Sequence, residues 1–388
     1  MDPDTLLRLR KFLVPEIVYG SGAVGLAGRH VANFGATKVL IVTDPGVIAA
    51  GWTEKVETSL KDAGIAYIVF SAVTPNPKDH EVMAGAEICR RQGCDLILAV
   101  GGGSPMDCAK GIGVVVGNPG HVVDFEGVDA VPGPGPPLIF IPTTAGTSAD
   151  VSQFAIITDT QQGRKIAIIS KMVIPDIALV DPETTLTMPA DLTTATGMDA
   201  LCHAFEAYVS TAASPLTDMA ARQAVRLVVD NLEGAYREPD NITFRDNMMM
   251  ASLMAGLAFS NASLGLVHAM AHSLGGFKDL NHGECNSLLL ERVVRFNFPA
   301  AADKYLQLAR AMGVRTGNLE SGEAASALVD RIASLRIRLG ITQRLRDMGV
   351  ASTELPQLAE FAFQDPCLAT NPREAQLGEI ASILREIY

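Results

Sequence analysis

The stretch Leu96-Ile97-Leu98-Ala99-Val100-Gly101-Gly102-Gly103-Ser104 decides the predicted fold of the first half of the chain. An apolar run that ends in glycines is typical of a strand buried on both faces of a parallel sheet. A helical pattern, Pro105–Val115, begins directly after the turn, and proline suits the first turn of a helix. A strand, a tight turn and a helix in this order favour an α/β sheet with helices on both faces.

The same alternation of strand and helix patterns extends on either side of this stretch. The remaining predicted strands are Lys38–Thr43, Ala66–Phe70, Leu138–Ile141 and Ile177–Val180, with a hairpin at Phe154–Thr158 and Lys165–Ile169; the predicted helices are Ala23–Asn33, Trp52–Ala63 and Asp79–Gln92. After Pro189 the strand patterns stop and long helical patterns follow one another. We therefore predict an α/β domain over residues 1–185 and an all-helical domain over residues 186–388.

Composition narrows the classes of function. The 388 residues carry a formal charge of −12, which argues against nucleic acid and anionic membranes as partners. We see no apolar run of membrane-spanning length, and the charged segment Met1–Lys11 lacks the apolar core of a signal peptide. The six cysteines form no CxxC pair, so we expect a reduced, cytoplasmic setting.

The glycine run has the chemistry of a phosphate site. Glycine lets backbone N–H groups approach an anion closely, the start of a helix adds partial positive charge, and Ser104 adds a hydroxyl donor. The run is not the G-x-G-x-x-G fingerprint, and a plain strand-to-helix turn explains it equally well when it is taken alone.

Other strand ends favour a nucleotide. Asp44 follows the first predicted strand, where a carboxylate can accept from a ribose 2′-hydroxyl and repel a 2′-phosphate, which favours NAD over NADP. Thr143, Thr144 and Thr147 place hydroxyls after another strand. The alternatives are an ordinary helix-capping aspartate and threonines satisfied within their own turn.

Four of the seven histidines lie between residues 203 and 282. Asp199 and His203 are four residues apart, as are His268 and His272, so each pair shares one face of a predicted helix. With His282 on the turn beyond, Asp199, His203, His268 and His282 could hold one Fe(II) or Zn(II) ion and leave a position open for a substrate oxygen. Each histidine alone would more often be a hydrogen-bonded core residue, but the combined spacing favours a catalytic metal that acts as a Lewis acid.

These motifs resemble those of the iron-containing (group III) alcohol dehydrogenases across nearly the full chain. The matching segments are Gly101–Asp107, Pro142–Thr147, Gly197–Leu201, Val267–Gly276 and Asn281–Gly283. The resemblance implies the dehydroquinate synthase-like fold, with a Rossmann-like NAD-binding domain, a helical metal-binding domain and the active site in the cleft between them. It also implies a homodimer or larger homo-oligomer that interconverts a primary alcohol and its aldehyde.

The resemblance assigns roles residue by residue. It implies that Asp199, His203, His268 and His282 are the metal ligands, that His272 is a non-ligand histidine suited to proton relay, and that Phe259 lines the substrate pocket. The residues that fall where relatives contact the dinucleotide are Asp44, Asn76, Gly102, Gly103, Ser104, Thr143, Thr144, Thr147 and Lys165. Asp107 lies in the glycine motif without an assigned role.

The chain departs from the family pattern beside the metal motifs. Cys202 stands where threonine is common, Glu284 and Cys285 where small apolar residues are usual, and Glu291 where proline is frequent. These departures resemble an alcohol dehydrogenase-like regulatory branch with weak or no turnover. A polyol or glycerol dehydrogenase, or a synthase acting on a sugar phosphate, remains a further alternative, although few basic residues lie near the histidines in sequence.

Overall fold

The computed structural model describes residues 11–317 and 319–388. The segment Met1–Lys11, which carried the signal-peptide prediction, lies outside the described residues except for Lys11. Residues 14–188 form one compact unit, and residues 189–388 form a second unit together with residues 11–13. The boundary predicted at 185/186 falls in the 3-10 helix Pro182–Thr187, just before this division.

The first unit is built on a six-stranded parallel sheet. Its strands are β1 (Glu16–Tyr19), β2 (Lys38–Val42), β3 (Ala66–Phe70), β4 (Leu96–Gly101), β6 (Leu138–Pro142) and β9 (Ile177–Val180), in the spatial order β1-β9-β6-β4-β2-β3. The helices are α1 (Ala27–Asn33), α2 (Pro45–Ala49), α3 (Trp52–Asp62), α4 (Asp79–Gln92) and α5 (Gly103–Gly117). The predicted α/β fold is confirmed.

Apolar side chains of each central strand alternate between two buried clusters. In β4, Leu96, Leu98 and Val100 pack into one cluster, whereas Ile97 and Ala99 pack into the other. A strand can be continuously apolar because both of its faces are covered. This arrangement explains why the run Leu96–Val100 shows no polar alternation in the sequence.

A second, three-stranded sheet contains β5 (Gly127–Val128), β7 (Phe154–Asp159) and β8 (Arg164–Ile169) in the order β5-β8-β7. Strands β7 and β8 are antiparallel, with Thr158 opposite Lys165. The hairpin predicted at Phe154–Thr158 and Lys165–Ile169 is therefore confirmed. It belongs to this smaller sheet and not to the six-stranded one.

The second unit contains no strand within the residues that the structure describes. Its helices are α6 (Ala190–Val209), α7 (Pro215–Arg237), α8 (Ile242–Ala262), α9 (Leu266–Lys278), α10 (His282–Asn297), α11 (Ala302–Ala311), α12 (Ser321–Arg338), α13 (Leu355–Phe363) and α14 (Leu377–Glu386). Within the described ranges no single helix could span a membrane; helices α8 and α9 together have the length and apolar composition, but the chain bends by 100° between them.

Candidate cofactor and metal sites

The glycine turn and the threonine turn leave the sheet side by side. Gly101 at the end of β4 is paired with Pro142 at the end of β6, so Gly102 and Thr143 both follow at the carboxyl edge. Gly101 has a φ of 153°, a conformation that side-chain-bearing residues rarely adopt. A Cβ atom on Gly103 would lie 2.5 Å from Thr147 Cγ2. The packing of these two turns therefore requires glycine.

Helix α5 begins at Gly103, two residues before the predicted start at Pro105. Gly102 is its N-cap residue and brings no side-chain cap, while Ser104 and Gly103 belong to the first turn. N–H groups at the start of a helix lack intrahelical acceptors and carry partial positive charge. This corner of the sheet thus has the geometry of an anion site made from backbone groups.

Asp44 follows β2 and is the N-cap residue of α2. Its Oδ1 accepts from the Val47 N–H group at 3.0 Å, which is the capping role considered as the alternative to a ribose contact. Strand β2 lies between β3 and β4 in the sheet. After β2 the chain adds β3 on one side of it, and the next strand, β4, is added on the other side. Ligands of open α/β sheets bind at the carboxyl ends of strands beside such a switch point.

Asn76 and Lys165 are connected through Thr158. Asn76 has a φ of 52°, and its carbonyl oxygen accepts from Thr158 Oγ1 at 3.3 Å. Thr158 pairs with Lys165 across the β7–β8 hairpin. The structure therefore ties the loop after β3 to the strand that carries Lys165.

A buried ionic cluster fixes helix α5 to the hairpin, and the sequence had assigned it no role. Lys110 is fully buried, and its Nζ donates to the Phe154 and Ser152 carbonyl oxygens and lies 3.7 Å from Asp107 Oδ1. Asp107 Oδ2 accepts from the Ile156 N–H group. Burial raises the pKa of Asp107 to about 6 and lowers the pKa of Lys110 to about 8. These groups hold the glycine-turn helix in place.

Three helices of the second unit carry the proposed metal ligands. Helix α6 carries Asp199 and His203, α9 carries His268, and α10 carries His282. His282 is the first residue of α10, capped by Asn281, rather than part of a preceding turn as the sequence pattern suggested. The Asn281 side chain accepts a hydrogen bond from the Glu284 N–H group, and this N-cap starts the helix at His282.

The donor atoms of Asp199, His268 and His282 converge, and His203 lies beside Asp199. Asp199 Oδ1 lies 3.7 Å from His203 Nε2, 3.5 Å from His268 Nε2 and 3.8 Å from His282 Nε2. Donor atoms that each lie about 2.1 Å from a tetrahedral ion are about 3.4 Å from one another. The ligand atoms of Asp199, His268 and His282 all lie within 4.8 Å of one another and fit a single divalent metal ion, whereas His203 is not part of this close group. The carboxylate and imidazole groups suit Fe(II) or Zn(II).

The electrostatics of this cluster favour a cation. Burial alone would raise the pKa of Asp199, but His203, His282 and His268 hold it well below its usual range. Burial alone would lower the pKa of His268, but Glu206 and Asp199 outweigh it and raise the pKa to about 9. The negative field that favours a proton on His268 also favours a metal ion in its place.

Glu206 contacts a proposed metal ligand, and the sequence patterns did not single it out. Its Oε2 lies 2.5 Å from His268 Nδ1, and its Oε1 accepts from the Val267 N–H group at 2.6 Å. A carboxylate that holds the proton on Nδ1 leaves the Nε2 lone pair free for a metal. The signal was present, because Asp199, His203 and Glu206 fall on one face of α6 at spacings of four and three residues.

His272 and Phe259 border the cluster. His272 stacks on His282 with 5.4 Å between ring centroids, and its Nδ1 is 2.8 Å from Asp365 Oδ2. Phe259 stacks on His203 at 4.3 Å. The structure thus places the predicted relay histidine and the predicted pocket phenylalanine beside the proposed ligands, and it adds Asp365 as a partner of His272.

The residues that depart from the family pattern are not among the donor groups of the cluster. Cys202 is buried, and its Sγ contacts the Asn286 carbonyl oxygen at 3.5 Å. Cys285 is likewise buried, and Glu291 pairs with Arg336 at 2.9 Å.

Comparison with known proteins matches both the α/β unit and the helical unit to one family. Residues 15–182 match the family model for iron-containing alcohol dehydrogenase, and residues 193–388 match the model for the C-terminal domain of the Fe-containing alcohol dehydrogenase family. A 1,3-propanediol dehydrogenase of Citrobacter freundii is 43% identical over 98% of this chain and 99% of that protein. The NAD-dependent methanol dehydrogenase of Bacillus methanolicus is 38% identical over 96% of this chain and 98% of its own.

A solved structure supports the same relationship. The crystal structure of a 1,3-propanediol oxidoreductase, 42% identical, superimposes with a TM-score of 0.94 and covers 97% of this chain and 99% of that one. The fold, the two domain matches and these relatives agree. The chain belongs to the iron-containing alcohol dehydrogenase family.

Proposed function

We propose that the protein interconverts a primary alcohol and its aldehyde with NAD and a divalent metal ion. The proposed metal is Fe(II), and Zn(II) is the alternative. The convergence of Asp199, His268 and His282 on one point, with His203 Nε2 3.7 Å from Asp199 Oδ1, carries this proposal. The names of the relatives support the substrate class, since they act on methanol or 1,3-propanediol.

The protein's own residues would prepare the reaction around these bound groups. A metal at the four donors would polarise the substrate oxygen, and a nicotinamide would accept or supply the hydride. Glu206 keeps His268 in the tautomer that presents Nε2. Phe259 gives an apolar surface beside His203, which suits a short carbon chain.

His272 is the residue that we propose for proton transfer. Asp365 holds its Nδ1 at 2.8 Å, so the other ring nitrogen is left to exchange a proton with substrate or water. Asp365 also accepts from the Cys367 N–H group at 2.8 Å, which keeps its carboxylate in place. The pKa of Asp365 lies below its usual range because His272 and the Cys367 N–H group outweigh the effect of burial.

We propose NAD rather than NADP as the cofactor. Asp44 is the only acidic residue among the proposed dinucleotide contacts, and it follows β2 at the carboxyl edge of the sheet. One of its oxygens caps α2, and the carboxylate would repel a 2′-phosphate. The glycine turn at Gly102 and Gly103 and the threonine turn would hold the pyrophosphate through backbone groups and hydroxyls.

The direct test is a turnover screen of protein purified without oxygen and loaded with Fe(II) or Zn(II). Methanol, ethanol, 1-propanol and 1,3-propanediol would be offered with NAD and with NADP, and the matching aldehydes with the reduced cofactors. We expect turnover with NAD, and we expect His268→Ala to lose metal retention and turnover together.

The outcomes separate the proposal from its rivals. Tight binding of NAD and metal without turnover on any alcohol or aldehyde would favour a regulatory protein with a vestigial site. Full metal retention and turnover by the His268→Ala variant would show that the ligand set is wrong. Turnover confined to glycerol or larger polyols would move the substrate class to the polyol dehydrogenases.

A further inference from the structure

Asn286 lies at the centre of the metal cluster although it belongs to none of the proposed ligands. It is four residues after His282 on helix α10 and has no exposed surface. Its Nδ2 is 2.6 Å from Asp199 Oδ1, 3.1 Å from His282 Nε2 and 3.2 Å from His268 Nε2. One amide group therefore contacts donor atoms from all three helices of the site.

The orientation of this amide follows from its surroundings. If the amide were rotated by 180°, its oxygen would face the carboxylate of Asp199 at 2.6 Å, and two acceptors would oppose each other. The nitrogen must therefore face Asp199. In this position the Asn286 Oδ1 atom is buried and has no hydrogen-bond partner among the described residues.

An unpaired buried carbonyl oxygen costs about 1–3 kcal/mol, so an apolar side chain would suit packing better at this position. The amide instead offers N–H groups to a carboxylate oxygen that has more than one lone pair. Such an oxygen can accept from Asn286 and bind a cation at the same time, whereas an imidazole Nε2 has a single lone pair for either purpose. A loaded site therefore requires the amide to give up His268 Nε2 and His282 Nε2, whereas its bond to Asp199 can be kept.

We propose that Asn286 is a positioning residue of the metal centre, whose amide N–H holds Asp199 in the orientation that binds the ion. The inference rests on the proposed metal centre and concerns how tightly the ion is held. Glu206 orients His268 from outside the cluster, and Asn286 orients Asp199 from within it. Removal of a group that orients a metal ligand typically weakens metal affinity by about 10–100-fold.

The test measures metal binding rather than turnover. Metal-free wild-type protein and the variants Asn286→Leu and Asn286→Ala would be titrated with Zn(II) in competition with a chelator. Leucine keeps the branching of the side chain but is larger and has no polar atoms, whereas alanine removes the amide and leaves a smaller side chain. We expect the Zn(II) dissociation constant to rise about 10–100-fold in both variants, with little change in the thermal midpoint of the metal-free protein.

Ser287→Ala is the matched control, because Ser287 is the next residue of α10, is equally buried, and donates to the Gly283 carbonyl oxygen instead of a ligand. We expect its Zn(II) affinity to stay within about threefold of wild type. Asn286→Leu with wild-type or tighter affinity would overturn the inference. A wild-type protein that binds no metal would instead refute the metal centre itself.

A measurement on the wild-type protein keeps the inference testable if both variants fail to fold. In a crystal structure of the Zn(II)-loaded protein, we expect Asn286 Nδ2 to remain within hydrogen-bond distance of an Asp199 carboxylate oxygen. Separation of this pair, with no direct contact left between the two side chains, would overturn the positioning role.

Discussion

Glu206 determines which nitrogen of His268 carries a proton. Both oxygens of its carboxylate are occupied, one by the Val267 N–H group and one by His268 Nδ1. Glutamine has one acceptor and one donor group in the same shape, so Glu206→Gln would place an NH2 group against Val267 N–H or His268 Nδ1. We expect about a 10–100-fold loss of metal affinity, measured by chelator competition.

A carboxylate outside the cluster provides the comparison for this substitution. Glu233 on α7 pairs with Arg338 and Arg237 and contacts no histidine in the described part of the chain. Glu233→Gln should leave metal affinity unchanged. If Glu206→Gln bound metal as tightly as Glu233→Gln, the tautomer of His268 would not depend on Glu206.

Asp365 offers a second test at the scale of single residues. Asp365→Asn can still accept from the Cys367 N–H group, but its NH2 group would face His272 Nδ1 and reverse the tautomer of that ring. We expect kcat to fall about 10–100-fold, as for loss of a general acid or base, while metal content stays at the wild-type level. Unchanged kcat at full metal content would remove His272 from the proposed proton transfer.

The sequence could reveal the proposed metal ligands because helical spacing makes them neighbours. Asp199 and His203 are four residues apart, and so are His282 and Asn286. Only the first pair was predicted to share a helix face at the metal site. Histidine stands out by its rarity, whereas one more asparagine or glutamate in a helix does not. Asp365 had no sequence signal, because its contact with His272 joins residues 93 positions apart.

At the scale of elements, the turn between β4 and α5 depends on the absence of side chains. A Cβ atom on Gly103 would lie 2.5 Å from Thr147 Cγ2 and 3.2 Å from its Oγ1. Gly103→Ala must therefore shift the Thr147 side chain, and we expect it to weaken NAD binding at least tenfold, as measured by calorimetry. Thr147→Ser removes the offending methyl group, so the double variant Gly103→Ala with Thr147→Ser should recover part of the affinity.

Gly113→Ala is the control on the same helix, because its Cβ would meet only Leu138 and Ile97 at 3.4 Å and 3.8 Å, ordinary contact distances. It should bind NAD like the wild type. Equal losses for Gly103→Ala and Gly113→Ala would point to general destabilisation of α5, and wild-type binding by Gly103→Ala would remove this turn from the dinucleotide site.

Elements with strong periodicity and clear end signals were predictable. Ala66–Phe70 and Asp79–Gln92 have the predicted bounds, and the glycine at position 93 ends the helix in the left-handed conformation. Strand β1, Glu16–Tyr19, was missed because four residues give too little pattern and its partner β9 lies about 160 positions later. Helix α13, Leu355–Phe363, was missed because nine residues give too little periodicity, although the proline in its first turn is a start signal.

At the scale of the whole molecule, the two proposed sites are built from different compact units. The proposed dinucleotide contacts all lie within residues 14–188, and the proposed metal ligands all lie within residues 189–388. A ligand stabilises the folded state that binds it, by about 2.7 kcal/mol at a free concentration of 100 times its dissociation constant. Each ligand should therefore leave its own pattern of amide hydrogen-exchange protection.

We expect removal of the metal by a chelator to increase amide exchange in α6, α9 and α10, because the proposed ion would join these three helices through Asp199, His268 and His282. We expect added NAD to slow exchange in the segments that follow β4 and β6, where the glycine and threonine turns lie. Helix α14, which carries no proposed ligand of either kind, provides the reference within the same samples. Exchange in α6, α9 and α10 that does not respond to the chelator in metal-loaded protein would contradict a metal held between these helices.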